Sequence, residues 1–234
     1  MIAIPNREAD IHMPTAKWLL LVAATRFNWL HKFLLRLFPR RVGLPLDRDR
    51  WDREYATGGW EWLKGLSEAP HNYVIASYCG RIGAGTAILD VGCGEGVLQS
   101  ILRRDGYQRY VGIDVSPFAI EHAGAKADAT TSFVVADALD YETEEQFDTV
   151  VLNEVMYYFP DPLAILQHLA DRLNAGGHFV VSMAQPSFRE ALAIQKIWRD
   201  IGSAYKVVAE VSLLYRDGLP RTVKLLARSP PSGS

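Results

Sequence analysis

The sequence predicts an α/β protein: a mostly parallel sheet with helices on both faces and a ligand site at the carboxyl edge of the strands. Three observations predict it. The apolar run Ala87-Ile88-Leu89 leads into Asp90, and glycine follows at positions 92, 94 and 96 before a helical pattern opens at Val97. Downstream, strand-like runs alternate with helix-like ones, as βαβ units require. Three of those strand-like runs finish at an acid: Asp90, Asp114 and Asp137.

Size and composition narrow the function. With 234 residues, 49% hydrophobic and 22% charged, the chain has room for one α/β domain and a modest appendage. A second catalytic domain of the dehydrogenase kind does not fit. The net charge of −2 gives no nucleic-acid footprint. It is unevenly spread, with nine Lys/Arg against four Asp/Glu in residues 1–50 and sixteen against twenty-three in the rest. The two cysteines, Cys79 and Cys93, show no metal-ligand spacing, and reduced thiols suit a cytoplasmic setting. No secretory signal pattern opens the chain, so a cytoplasmic location is expected.

Residues 1–16 read as a poorly ordered lead-in. Residues 17–38 read as a basic amphipathic helix, with Leu20, Ala23, Phe27, Leu30, Leu34 and Leu37 on one stripe. Its uncharged run, 18–25, is far shorter than the roughly 20 residues a span needs. Three roles stay open for 17–41: a lid packed on the core, a peripheral contact with an anionic membrane, or a homodimer contact. Residues 39–46 are a Pro/Gly/Arg connector. The segment 51–63 is dense in aromatics around Gly58-Gly59, and 71–81 reads as a helix packed on the sheet, with His71 at the surface.

The glycine loop departs from the dinucleotide fingerprint G-x-G-x-x-G, since Val97 stands where the last glycine belongs. Asp90 would also repel a pyrophosphate. A carboxylate there suits a cation or an amine; a glycine turn without ligand is the bland alternative. The string Asp90-Val91-Gly92-Cys93-Gly94-Glu95-Gly96 resembles motif I of the class I S-adenosylmethionine (SAM)-dependent methyltransferases. The resemblance implies that Asp90, Gly92, Cys93 and Gly94 lie along the methionine and ribose of SAM.

The later segments extend it. A helix over 97–104 leads to a strand over 110–113 that ends at Asp114-Val115, eighteen residues past Gly96, where a ribose diol is gripped. NAD folds share that feature. Ser116-Pro117 starts a helix through about Ala127. A strand over 132–135 reaches Asp137-Ala138, which resembles the family's adenine-binding motif. The strand over 147–152 runs into Asn153-Glu154-Val155-Met156-Tyr157-Tyr158. This lacks the Pro-Pro pair of enzymes that methylate nucleic-acid bases and protein amides. It keeps only the first acid of a Glu-x-x-Glu-His metal pattern, so no metal is expected. The Glu-Val-Met-Tyr-Tyr run is similar to the nodulation-factor N-methyltransferases. A helix over 162–173 with a C-cap at 174–177, a strand over 178–183, a helix over 188–201 and a strand pair over 206–213 and 221–227 complete the pattern.

Membership implies a Rossmann-like seven-stranded sheet, order 3-2-1-4-5-7-6, with one antiparallel strand. Residues 1–80 would form an N-terminal helical cap and substrate wall, 81–229 the SAM-binding core, and 230–234 a flexible tail. The expected activity is SN2 transfer of the SAM methyl to an oxygen or nitrogen of a small molecule, a sugar, amine or lipid-like acceptor, leaving S-adenosylhomocysteine. Tyr157, Glu154 and Tyr158 are the candidates facing the methyl, with Asn153 beside them. Tyr55 and Trp60 would cover the sulfonium, while Trp62 is assigned to packing and His122 and His178 to structure. The alternative is a methyltransferase fold that binds SAM without transfer, as a cyclisation catalyst or regulatory subunit.

Overall fold

The computed structural model describes residues 47–82, 86–185, 188–215 and 220–228. The lead-in, the basic helix with its lid, membrane and dimer roles, the connector and the C-terminal tail lie outside the described residues. Six α-helices and seven strands are described.

Helix α1 (Arg48–Ala56) starts at Asp47, whose side chain accepts from the Arg50 N–H. A 3₁₀ turn (Glu61–Lys64) and α2 (Ala69–Ile82) follow. The sheet then builds as β1 (Ala87–Val91), α3 (Val97–Asp105), β2 (Arg109–Asp114), α4 (Pro117–Gly124), β3 (Thr131–Val135), β4 (Phe147–Asn153), α5 (Pro162–Ala170), β5 (Leu173–Ala184), α6 (Phe188–Ala204), β6 (Tyr205–Leu214) and β7 (Pro220–Arg228). The strand order is β3-β2-β1-β4-β5-β7-β6, as the motif resemblance implied. Strands β1 to β5 pair in parallel, and β7 runs antiparallel between β5 and β6.

Covered on both faces, the central strands are apolar almost throughout. Val150, Val151 and Leu152 of β4 are fully buried. Alternate residues feed two cores: Leu89, Val91, Val150, Leu152 and Val181 on one face, Ile88, Val151, Val180 and Val223 beneath α2 on the other. Register lines the carboxyl ends up. Val91 is opposite both Ile113 and Leu152, and Asp114 is opposite Val135. Because β7 is antiparallel, its first residues reach the same edge, with Arg221 opposite Ala184.

Two helix ends differ from the sequence reading. Helix α5 stops at Ala170, and Leu173 already pairs with Phe147 as the first residue of β5, its side chain buried. The glycines at 176 and 177 therefore serve a turn inside the strand, with Gly176 at φ +81°, instead of a helix cap. Burial of Leu173 in the core outweighed its helical spacing. Helix α4 ends at Gly124, and the next residues tighten into i→i+3 bonds, Lys126 to Ala123 and Ala127 to Gly124.

The turn after β1 folds sharply back. The N–H groups of Gly92 and Cys93 both donate to the Ile113 carbonyl, at 2.8 and 3.0 Å. Gly92 sits at φ +71°, and a Cβ there would lie 2.4 Å from Val155 Cγ1. Substitution meets both a left-handed backbone and a neighbour with nowhere to go. Gly92→Ala is expected to lower the unfolding free energy by roughly 2–4 kcal/mol in urea denaturation. Adding Val155→Ala should restore only part of it, since the backbone strain remains; full restoration would show that the clash alone matters.

Candidate active site

The carboxyl edge holds a cavity of about 770 Å³ that opens into a smaller lobe of about 80 Å³. Gly92, Asn153, Glu154, Tyr55, Trp60 and Leu63 border both. The larger lobe reaches Asp114, Val115, Asp137 and Ala138 from β2 and the segment after β3, and Tyr157 and Tyr158 from the 3₁₀ turn Met156–Tyr158 after β4. The smaller lobe reaches Asp90, Cys93 and Gly94. The fold thus brings every candidate cofactor-binding and catalytic residue named from the sequence to one of two adjoining lobes.

The three acids differ in environment. Asp90 is 1% exposed; its Oδ2 accepts from Tyr110 Oη at 2.5 Å, and its buried Oδ1 has no partner. Burial pushes its carboxyl up to about 7. Asp114 is also buried, which raises it, while backbone N–H bonds pull the other way. Its two oxygens accept from Gly94 N and Ser116 N, each at 2.9 Å. Each retains a lone pair, and the residue lines the larger lobe. Asp137 Oδ1 holds its own turn by accepting from Leu139 N at 3.0 Å. Cys93 is buried, its thiol 3.5 Å from the Gly94 carbonyl, and burial raises it well above the ordinary thiol range. It fills space under the loop and is no nucleophile.

The opposite wall is aromatic. Helix α1 docks on the core through Asp52, whose Oδ1 accepts from Ser116 Oγ at 2.8 Å and Phe118 N at 2.9 Å. A side chain from α1 thereby caps α4, and both bonds hold its carboxyl below the usual range. Docked this way, α1 and the turn after it present Trp51, Tyr55, Trp60 and Trp62 to the cavity. Trp51 lies 5.5 Å from Trp60 and meets Tyr158 edge-on at 4.8 Å, between ring centroids. Tyr55 is largely buried with its hydroxyl over Gly94, and burial raises it above the phenol range. Trp62 departs from its packing assignment: it is 49% exposed and borders the cavity, 6.0 Å from Trp60.

Glu154 takes φ +60°, the one non-glycine residue with positive φ among those described. Its carboxylate holds the bend: Oε2 accepts from Ala184 N at 2.9 Å and Tyr157 Oη at 3.0 Å. Ser182 Oγ stands 2.9 Å from Oε1 and 2.6 Å from Asn153 Oδ1, and its single proton serves one of them. Asn153 donates to Asn72 on α2 at 2.9 Å. Tyr157 is pushed well above the phenol range by burial and by Glu154, so it stays a donor.

His71 is buried, contrary to the surface position expected from sequence, because α2 turns it under β7 toward Tyr215 and Arg221. Arg221, Trp51 and Trp62 are cavity residues that the sequence reading missed. Nothing local marks an arginine at a strand start as a cavity residue. His122 bonds its own helix at the Phe118 carbonyl and His178 is half-buried, with neither bordering the cavity. Among the described residues, no cluster of His, Cys, Asp or Glu is arranged to hold a metal ion, and no helix is long and apolar enough to cross a membrane.

Comparison with known proteins decides the family. A profile described as a methyltransferase domain matches residues 22–205. The chain belongs to this methyltransferase family. It is 29% identical over 137 residues to the ubiquinone biosynthesis O-methyltransferase of Vibrio cholerae, across 56% of this chain and 54% of that protein. The chain spans about half the length of the curated relatives it matches. Among solved structures it resembles the N-methyltransferase NodS of Bradyrhizobium japonicum in complex with S-adenosylhomocysteine, with a TM-score of 0.63 and 23% identity over 73% of this chain and 92% of that one. The [4+2]-cyclase SpnF gives the same TM-score at 13% identity, over 80% and 97%. Both show the methyltransferase fold alone. The motif I resemblance and the likeness to the nodulation-factor enzyme are thereby borne out.

Asp90 gives a signed pH dependence. Its folded value lies above the 3.8 of a free aspartate, so its effect on stability is neutral below about pH 4, grows unfavourable between about pH 4 and 7, and levels off above about 7. Asp90→Asn should stabilise the ligand-free methyltransferase more at pH 8 than at pH 5, by about 2 kcal/mol in urea denaturation. A gain independent of pH would show that this carboxyl ionises freely in the fold.

Proposed function

We propose that this chain is a SAM-dependent methyltransferase that transfers the methyl group to an oxygen or nitrogen of a small molecule. The observation that carries it is the set of three carboxylates at adjoining strand ends, Asp114 and Asp137 bordering the larger lobe and Asp90 the smaller one beside it. The residues present fit the cofactor. The buried Asp90 Oδ1 has no partner, and a methionine ammonium would satisfy its charge directly or through water. Asp114 keeps lone pairs for a ribose diol, and Asp137 with Ala138 borders the place for an adenine ring. Gly92 and Gly94 take positive φ, and their missing side chains let Val155 and the Tyr55 hydroxyl pack directly against the loop that borders the site.

When bound, SAM supplies an electrophilic methyl on a cationic sulfur. The chain's own residues align and dehydrate what meets it. Tyr55 and Trp60 border both lobes, where their rings favour a cation. Trp51, Trp60 and Tyr158 form the wall that keeps water out. Glu154 is the proton acceptor for a hydroxyl nucleophile, aimed by Ser182, Ala184 and Tyr157; an amine that arrives neutral needs no base. Alignment accounts for most of the acceleration. Within the described residues, α1 and the turn after it are assigned as cap and substrate wall, supported by the aromatic wall they carry, while α2 packs on the sheet as part of the core. The relative that acts in ubiquinone biosynthesis supports a small-molecule acceptor. The second reading, a chain of this fold that holds SAM without transfer, draws its support from the cyclase that shares the fold.

Isothermal titration tests the site first. S-adenosylhomocysteine should bind with a micromolar Kd while NADH does not, and Asp114→Asn should weaken it at least tenfold, roughly 1.4 kcal/mol. Absence of S-adenosylhomocysteine binding to the full chain would overturn the assignment. Transfer of labelled methyl to phenolic and amine acceptors separates an enzyme from a non-transferring relative. For a hydroxyl acceptor, Glu154→Gln should lower kcat by about 10²-fold and leave the S-adenosylhomocysteine affinity unchanged. An unchanged kcat would remove Glu154 as the base.

A further inference from the structure

Arg221 opens β7 opposite Ala184, the residue whose N–H donates to Glu154. It shares a sheet face with Val223 and Leu225, beneath α2. Three residues clamp its guanidinium there. Glu68, 5% exposed just before α2, forms an ion pair with Nη1. His71, 2% exposed, brings Nδ1 to 3.3 Å from the same nitrogen and 3.1 Å from Tyr215 Oη. The Tyr215 ring lies 4.9 Å from the guanidinium carbon. Burial and the charge of Arg221 push His71 down to about 3, so its ring is neutral and Nδ1 is the acceptor.

Such an anchor is more than an α2–β7 crosslink needs. The guanidinium is fixed and mostly dehydrated, yet Arg221 borders the large cavity together with Glu154 and Tyr157. Glu154 is not its ion-pair partner, being occupied by Ser182, Ala184 and Tyr157. Glu68 takes one nitrogen of a fork that carries five N–H donors, and the rest of the fork makes no hydrogen bond to a described residue. A rigid arginine with donors to spare is suited to a planar oxyanion. The rings of Trp51, Trp60, Trp62, Tyr158 and Phe159 border the same cavity and match a flat partner.

We propose that Arg221 is a specificity residue that binds the carboxylate of an aromatic acid as the methyl acceptor. This rests on the methyl-transfer reading above and narrows it to an anionic, aromatic acceptor class. Glu68, His71 and Tyr215 act through Arg221 as positioning residues.

The test uses the full chain saturated with S-adenosylhomocysteine, titrated with 4-hydroxybenzoate and with its neutral isostere 4-hydroxybenzamide by ligand-observed NMR. The benzoate should bind at least tenfold more tightly than the amide. Arg221→Gln should abolish that preference while S-adenosylhomocysteine affinity stays within about twofold, and Arg221→Lys should keep part of it. If Arg221→Gln misfolds because it strands the buried Glu68 carboxylate, the Glu68→Gln, Arg221→Gln double variant gives the same reading without the unpaired charge. Equal affinity for the two probes, no binding of either, or a preference that survives loss of the guanidinium each overturns the proposal. In those cases intact S-adenosylhomocysteine binding leaves the methyltransferase reading standing; loss of that binding would remove both.

Discussion

One buried carboxylate ties this site together. Asp114, at the end of β2, accepts from the Gly94 N–H with one oxygen and from the Ser116 N–H with the other. The first bond fixes the glycine loop after β1, and the second fixes the start of α4. Ser116 passes the constraint on, since its hydroxyl donates to Asp52 of the cap helix. The glycine loop and the start of α4 thus meet on one short side chain, and α1 joins them through Ser116. Burial raises the energy of the charged form, and the backbone donors offset it. A carboxylate held so has little freedom left to lose on meeting the ribose diol proposed for it, which is the condition for tight binding without reorganisation.

The cost of building the site is concentrated in a few residues. Asp90 is buried beside an undonated oxygen, Glu154 bends through left-handed backbone, and Gly92 has no space for a side chain. Each lies at the carboxyl end of β1 or β4, in the middle of the sheet. The surrounding ladders and the two apolar cores over-determine these positions, so the strain persists. Further out, the same logic applies to Gly112: a Cβ there would lie 2.8 Å from both Cys93 Sγ and Phe133 Cδ1. Close packing of the loop on β2 therefore depends on a glycine within the strand.

Acceptor chemistry, in the proposed reading, is set elsewhere, on the cap and on β7. The tryptophans of the cap supply flat apolar surface at small conformational cost. The antiparallel course of β7 is what carries Arg221 to the carboxyl edge; a parallel strand would have started at the far end of the sheet. The division is clear. In the proposed reading, the acids on β1, on β2 and just past β3 serve the cofactor, while the aromatics of α1 and the turn after it, with Arg221 on β7, distinguish one acceptor from another.

Local chemistry in the sequence determined the strands, the glycine loop, Ser116-Pro117 as a helix start and the three acids, because each depends on residues within a turn of one another. The pairing of Asp52 with Ser116 and of Glu68 with Arg221 was not legible, since 64 and 153 residues separate the partners. Nor were the burial of His71, the exposure of Trp62 and the early end of α5 at Ala170. In each of these, where a residue ends up depends on which element packs over it. The sequence alone determined the sheet and the cofactor edge. Only tertiary packing decided which cation and which rings border the cavity, because helix docking and strand direction bring them together, and neither is written in local periodicity.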